Sequence, residues 1–112
     1  MQTFFRNLFI VGLLFSLSAC STDPPRVRVA NQRPEITDVQ LKRSSGNTVN
    51  INDVGPTSTT GYIGVEPSTY EVDAKVEGVS PSATTFFTAN EDEEYTIVVI
   101  NSTPPTVRVD RP

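Results

Sequence analysis

Side chains able to attack a substrate, hold a soft metal or move a proton near neutral pH are scarce in this chain. There is one cysteine, Cys20, no histidine, and two lysines, Lys42 and Lys75. Without an imidazole, neither a Ser-His-Asp triad nor a Cys-His dyad can be assembled. Most zinc sites go with it, because they draw on several Cys and His ligands. Neither lysine stands in a Ser-x-x-Lys motif, the spacing at which a lysine activates a serine. Carboxylates remain, 13 in all, densest in Asn90-Glu91-Asp92-Glu93-Glu94. Their oxygens suit a hard cation. However, the run lacks the alternating Asp/Asn ligands and internal glycine of an EF-hand loop. It reads as a solvated hairpin turn. The other acids fall at outward strand positions, where solubility explains them. The sequence therefore predicts a protein that is not an enzyme and carries no metal or cofactor. A hydrolytic enzyme built on a carboxylate pair is the alternative with less behind it.

The thiol of Cys20 has a different context. It comes after Leu17-Ser18-Ala19, behind one positive charge (Arg6) and an apolar run over residues 8–15. A charged, then apolar, then small-residue order is the layout of a secretory signal. The apolar stretch ends well short of the roughly 20 residues that a membrane-spanning helix needs. Ordinary secretory cleavage after Ala19 favours a small residue three positions before the cut, where this chain has Leu17. Leu17-Ser18-Ala19-Cys20 resembles the lipobox of bacterial lipoproteins. That resemblance implies a diacylglycerol on the Cys20 thiol, cleavage before Cys20 and acylation of the new amine. Residues 1–19 are then a lipoprotein signal peptide and 20–25 a lipidated cysteine with a short tether. Residues 26–112 form a single domain. Each buried methylene adds about 0.8 kcal/mol to membrane affinity, so two or three acyl chains anchor where one does not. Ser21 stands where lipoproteins kept in the inner membrane often carry Asp, which implies the periplasmic face of the outer membrane. The competing reading is an unmodified secreted protein with a stray thiol.

Removal of the leader leaves 93 residues with a net charge of −5. That length suits one domain with one modest core. An acidic chain without a Lys/Arg stripe lacks the charge to bind nucleic acid. A single cysteine permits no internal disulfide, so the fold stands on packing alone.

After Cys20 the apolar residues recur with period two, the spacing of half-buried strands, and helical spacing is absent. Val27 and Val29 alternate with arginines, Val39 and Leu41 with polar residues, and Val49 and Ile51 likewise. Tyr70, Val72, Ala74 and Val76 form the clearest inward set. Residues 83–88 make a strand centred on Phe86 and Phe87. Residues 95–100 are apolar on both faces apart from Thr96, as a central strand would be. Residues 52–61, rich in Thr, Ser, Gly and Pro, read as a crossing between sheets, or else as a recognition loop. The expected fold is all-β: an antiparallel two-sheet sandwich of about seven strands. Tyr70, Val72, Val76, Phe86, Ile97 and Val99 are expected in its core. The tail, Pro104-Pro105-Thr106-Val107-Arg108-Val109, echoes Pro24-Pro25-Arg26-Val27-Arg28-Val29. It either completes the domain's own sheet or stays free to join a partner's sheet.

Three strand motifs carry a further likeness: Val27-Arg28-Val29-Ala30-Asn31, Thr69-Tyr70-Glu71-Val72 and Tyr95-Thr96-Ile97-Val98-Val99. In this order, framing most of residues 26–101, they resemble domain-of-unknown-function family forty-three ninety-seven, a secreted bacterial module. The resemblance implies an immunoglobulin- or transthyretin-like sandwich and brings no catalytic residues. The expected role is a non-catalytic binding or scaffolding module in the cell envelope. Its membrane contact runs through Cys20, and an envelope protein is its possible partner. The alternative is a structural protein contacting peptidoglycan or other lipoproteins.

Overall fold

The computed structural model describes residues 22–44 and 46–112. All regular structure among them is strand: β1 (Arg26–Asn31), β2 (Thr37–Lys42), β3 (Val49–Val54), β4 (Ile63–Gly64), β5 (Ser68–Val76), β6 (Ala83–Ala89), β7 (Glu94–Ile100) and β8 (Thr106–Asp110). The period-two pattern explains them: β2, for instance, alternates buried and half-buried residues along its whole length. The strands form two four-stranded sheets, ordered β4-β1-β7-β8 and β3-β2-β5-β6. These pack as a sandwich over one core, and residues 22–112 hold every described strand and the apolar interior they enclose.

Among the described residues the strand count is eight rather than about seven, and the pairing is not wholly antiparallel. β1 runs parallel to β7, with Val27 opposite Tyr95 and Val29 opposite Ile97. Parallel neighbours need a crossover, and here the whole other sheet supplies it. β8 closes the first sheet antiparallel to β7, placing Val107 opposite Val99 and Val109 opposite Ile97. The tail is thus an internal strand, and the two Pro-Pro-x-Val-Arg-Val segments flank the same central strand.

Tyr70, Val72, Val76, Ile97 and Val99 are buried as expected, but Phe86 is 67 % exposed. Two adjacent phenylalanines leave the inward one undecided, and pairing with β5 decides it. Phe87 sits opposite inward Tyr70, and Phe86 opposite outward Glu71. The Phe87 ring lies 5.7 Å from Tyr70 and 5.1 Å from Tyr95, joining aromatic groups of both sheets.

Hairpins join β2–β3, β5–β6 and β7–β8, while the other four connections cross between sheets. Residues 90–93 are one such crossing, not the hairpin turn that their composition suggests. The irregular stretch begins later than expected, because β3 continues to Val54. It crosses from β3 to β4 and is bonded along β1: the Asn31 N–H donates to Ser58 O, and the Thr60 N–H to Val29 O, each at 2.9 Å. That bonding fits the crossing role better than a free recognition loop.

Replacing Ile97 by Ala should destabilise residues 22–112 by about 2–5 kcal/mol, a large share of a small domain's stability. Phe86→Ser, at an exposed site, should stay within about 0.5 kcal/mol in dilute solution. Urea denaturation tracked by circular dichroism distinguishes them, and equal losses would contradict the inward assignment of Phe87.

Candidate functional site

The strand directions give the sandwich two ends. One gathers residues 23–25, the β2–β3, β4–β5 and β6–β7 connections, and residues 111–112. The other gathers the β1–β2, β3–β4, β5–β6 and β7–β8 connections. Cys20, the lipidation candidate, lies outside the described residues. A few positions later the chain is already docked. The Asp23 N–H donates to Asp92 Oδ1 at 2.8 Å, and the Asp92 N–H returns a bond to Asp23 O at 2.9 Å. Pro25 is buried, and its carbonyl accepts the Val65 N–H. Residues 23–25 therefore act as the first loop of the domain and not as a free spacer.

The acidic run is spent on this docking. Glu94 pairs with Arg26, opposite it in the β1–β7 ladder. Glu93 accepts the Tyr95 hydroxyl at 2.9 Å and faces Arg111 at 3.7 Å. A cleft of about 360 Å³ remains between these groups, lined by both signs of charge. Among the described residues, no group of three His, Cys, Asp or Glu is placed to hold a metal ion.

The opposite end is organised by two residues, Asn31 and Arg33, that the sequence does not single out as functional. Asn31 continues the inward set of Val27 and Val29 and is 2 % exposed. Its side-chain amide donates to Glu35 O at 2.8 Å and to Val54 O and Gly55 O at 3.1 Å, while Oδ1 accepts the Arg33 N–H. Arg33, 6 % exposed, pairs with Glu35 at 2.9 Å and donates to Ser102 O at 2.8 Å and Ile100 O at 3.3 Å. A polar residue at an inward period-two position is the signal that could have revealed Asn31. Arg33 has no such signal.

Next to this network lies a groove of about 540 Å³. Ile36 and Val79 border it above buried Val76, with Asp38, Asp53, Lys75 and Glu77 around them. Ile36 is 39 % exposed. The Glu77 N–H donates to Ile36 O at 2.9 Å, and the Asp53 N–H to Asp38 Oδ1 at 2.7 Å, so the walls are braced. Gly78, at φ 74, makes the tight turn that a side chain would strain. Lys75 shares the groove with Ser80 and Ser82 without a hydrogen bond to either. Lys42 lies elsewhere and faces Asp73 at 3.4 Å. Three carboxylates against one ammonium make the groove acidic around an apolar floor. Such a surface holds a cationic group beside an apolar one; the structure shows no activated nucleophile in it.

Fold and end surfaces together define an all-β sandwich with a braced, acidic groove at the end away from its first residues. No protein-family model matches the chain, and no curated protein does.

At the first end, Tyr70 is buried and its hydroxyl donates to Glu66 O at 2.6 Å, four residues back across the β4–β5 crossing. Burial raises its pKa above 10.0; Glu66 adds to the rise, and Arg43 and the backbone bond oppose it. A raised phenol pKa means that the unfolded chain ionises first. This contribution is complete below about pH 10 and is lost as pH rises through the folded value. Alkaline melts should therefore show a loss of stability above about pH 10 that is smaller in Tyr70→Phe. At the other end, Asn31→Ala strands buried carbonyls and should cost at least about 1–3 kcal/mol. Gln40→Ala, which breaks only an exposed 3.2 Å bond to Asn50, should cost little. Equal losses in these two variants would remove Asn31 from its assigned role.

Proposed function

We propose that the chain is a bacterial lipoprotein anchored through Cys20, and that its sandwich is a non-catalytic binding module for a protein of the cell envelope. One observation carries the reading. The domain's first residues are fastened to the acidic end, so an anchor at Cys20 attaches there, and the groove lies at the far ends of the strands. With Asp23 docked, three residues separate it from an anchor at the Cys20 end, and three residues reach at most on the order of 10 Å. β1 alone carries the chain about 20 Å away from that end. The groove then faces away from the lipid surface.

The groove's chemistry indicates the partner: a protein segment presenting an apolar side chain for Ile36 and Val79 and a basic one for Asp38, Asp53 and Glu77. Pairing of Glu93 and Glu94 with Arg111 and Arg26 and the lack of histidine speak against an enzyme. The placement at the periplasmic face of the outer membrane rests on Ser21. Membership of domain-of-unknown-function family forty-three ninety-seven rests on the three strand motifs. Within the sandwich class, the same resemblance supports an immunoglobulin- or transthyretin-like form.

Two measurements test this. Cys20→Ser should accumulate unprocessed precursor, and wild type should carry an acyl mass on Cys20; normal cleavage of the variant with no acyl mass on wild type would remove the anchor. A photo-crosslinker in intact cells at Ile36, compared with one at Glu66 on the other end, addresses the groove. Capture of one envelope protein from Ile36 only, weakened by Glu77→Lys, is the expected result. Capture of the same abundant neighbours from both positions would favour a structural envelope role.

A further inference from the structure

Among the described residues the sandwich has four edge strands, and three of them are blunted. β3 carries Asp53 at a positive φ of 56, and its register with β2 shifts between Thr37 and Val39. β4 is two residues long. β8 is five residues long, comes directly after Pro105 and exposes Arg108 beside Asp110. Bulges, shortness, proline and charge are the devices that keep a sheet from pairing with another chain.

β6 has none of them. Ala83-Thr84-Thr85-Phe86-Phe87-Thr88-Ala89 is seven residues long, without charge or proline. All seven pair with β5 in unbroken register, so the strand is straight and regular. It is the last described strand of its sheet, and among the described residues no backbone ladder lies on its other side. Phe86 stands out from its middle.

The sequence of this edge also reads nearly the same in both directions. In an antiparallel pair centred on Phe86, Ala83 meets Ala89, Thr84 meets Thr88, Thr85 meets Phe87 and Phe86 meets itself. The outward triplet Thr84, Phe86, Thr88 is fully self-complementary. No like charges are brought face to face. The same pairing chemistry already operates one strand further in, where Thr69 and Thr88 join hydroxyls at 2.9 Å. A two-fold axis requires that one patch complement itself, and β6 does.

We propose that two copies of this chain pair through β6, antiparallel and centred on Phe86, to form one continuous eight-stranded sheet. Each copy then presents Phe86 to Phe86 and two Thr84–Thr88 pairs on the outer face. The acidic groove is left open in both copies, since its lining residues lie on the β1–β2 connection, β2, β3, β5 and the β5–β6 turn. The proposal stands on the edge geometry and is independent of lipidation at Cys20.

Charge exchange at position 86 tests it. Residues 22–112, which contain the whole sandwich, are prepared as wild type, Phe86→Lys and Phe86→Glu. Sedimentation velocity is run up to about 1 mM, the effective concentration scale of tethered modules. Wild type should sediment as a dimer, each variant as a folded monomer, and an equimolar mixture of the two variants as a dimer again. Because position 86 is exposed, the variants keep their fold, and the recovered dimer in the mixture reports it directly. A wild type that stays monomeric overturns the proposal, and in that case an extended segment of another protein is the occupant to seek on β6. Variants that dimerise like wild type place the interface elsewhere and overturn it as well. So does a mixture that remains monomeric.

Discussion

A sandwich whose chain crosses repeatedly between sheets must bring backbone carbonyls to the rim of an apolar core, where water cannot reach all of them. Leaving such groups unpaired is costly. At the groove end this protein meets the demand with one amide and one guanidinium. Asn31 satisfies carbonyls of the β1–β2 and β3–β4 connections, and Arg33 carries the network to the β7–β8 turn. The remaining connection is tied through Glu77 to Ile36. All four loops are thereby fixed relative to one another. The groove between Ile36 and Val79 inherits its shape from this arrangement, and a braced surface loses little freedom on binding.

The other end is held by charge. Asp23 and Asp92 exchange backbone and side-chain bonds, Arg26 meets Glu94, and Arg111 faces Glu93. Single exposed ion pairs contribute little to stability. Their value here is positional, because they fix where β1 enters the sheet beside β7. Above them, Arg26 and Arg28 lie 5.5 Å and 4.8 Å from the Tyr62 ring, so the outer face of β1 is covered by the β3–β4 connection. The two ends thus use opposite means: neutral carbonyls gathered by buried donors at one, carboxylates matched to arginines at the other.

Period-two spacing makes most of the strands legible, because inward valines and outward charges leave one way to place a strand on a core. It also reveals the central position of β7, whose residues are apolar on both faces. Three things are out of its reach. Alternation does not name neighbours, so the parallel pairing of β1 with β7 is invisible to it. It is ambiguous where two large apolar residues adjoin, and Phe86 reads as inward for that reason. It also treats polar residues at strand ends and between strands as solvent-facing. That rule fails for Asn31, the last residue of β1, and for Arg33 after it, which belong to the interior, and it makes a hairpin of the acidic run that in fact bridges the sheets. The site divides in the same way. Cys20 stands in a local motif, whereas the groove exists only because distant turns converge.

The partnership of β1 with β7 also fixes an order of events in time. Arg26 and Glu94, paired at one end of this ladder, are 68 positions apart. Contacts of such separation form late, since a long loop must be closed before anything is gained. The sheet β3-β2-β5-β6 is complete in sequence by Ala89 and needs nothing beyond it. Of the described strands, the first to be synthesised must wait for the last but one. Until residues 94–110 arrive, Val27 and Val29 have no sheet to enter, and the inner face of the finished sheet lies open. The newborn chain is therefore a half-sandwich with its apolar side uncovered, and a short final segment converts it into a closed domain.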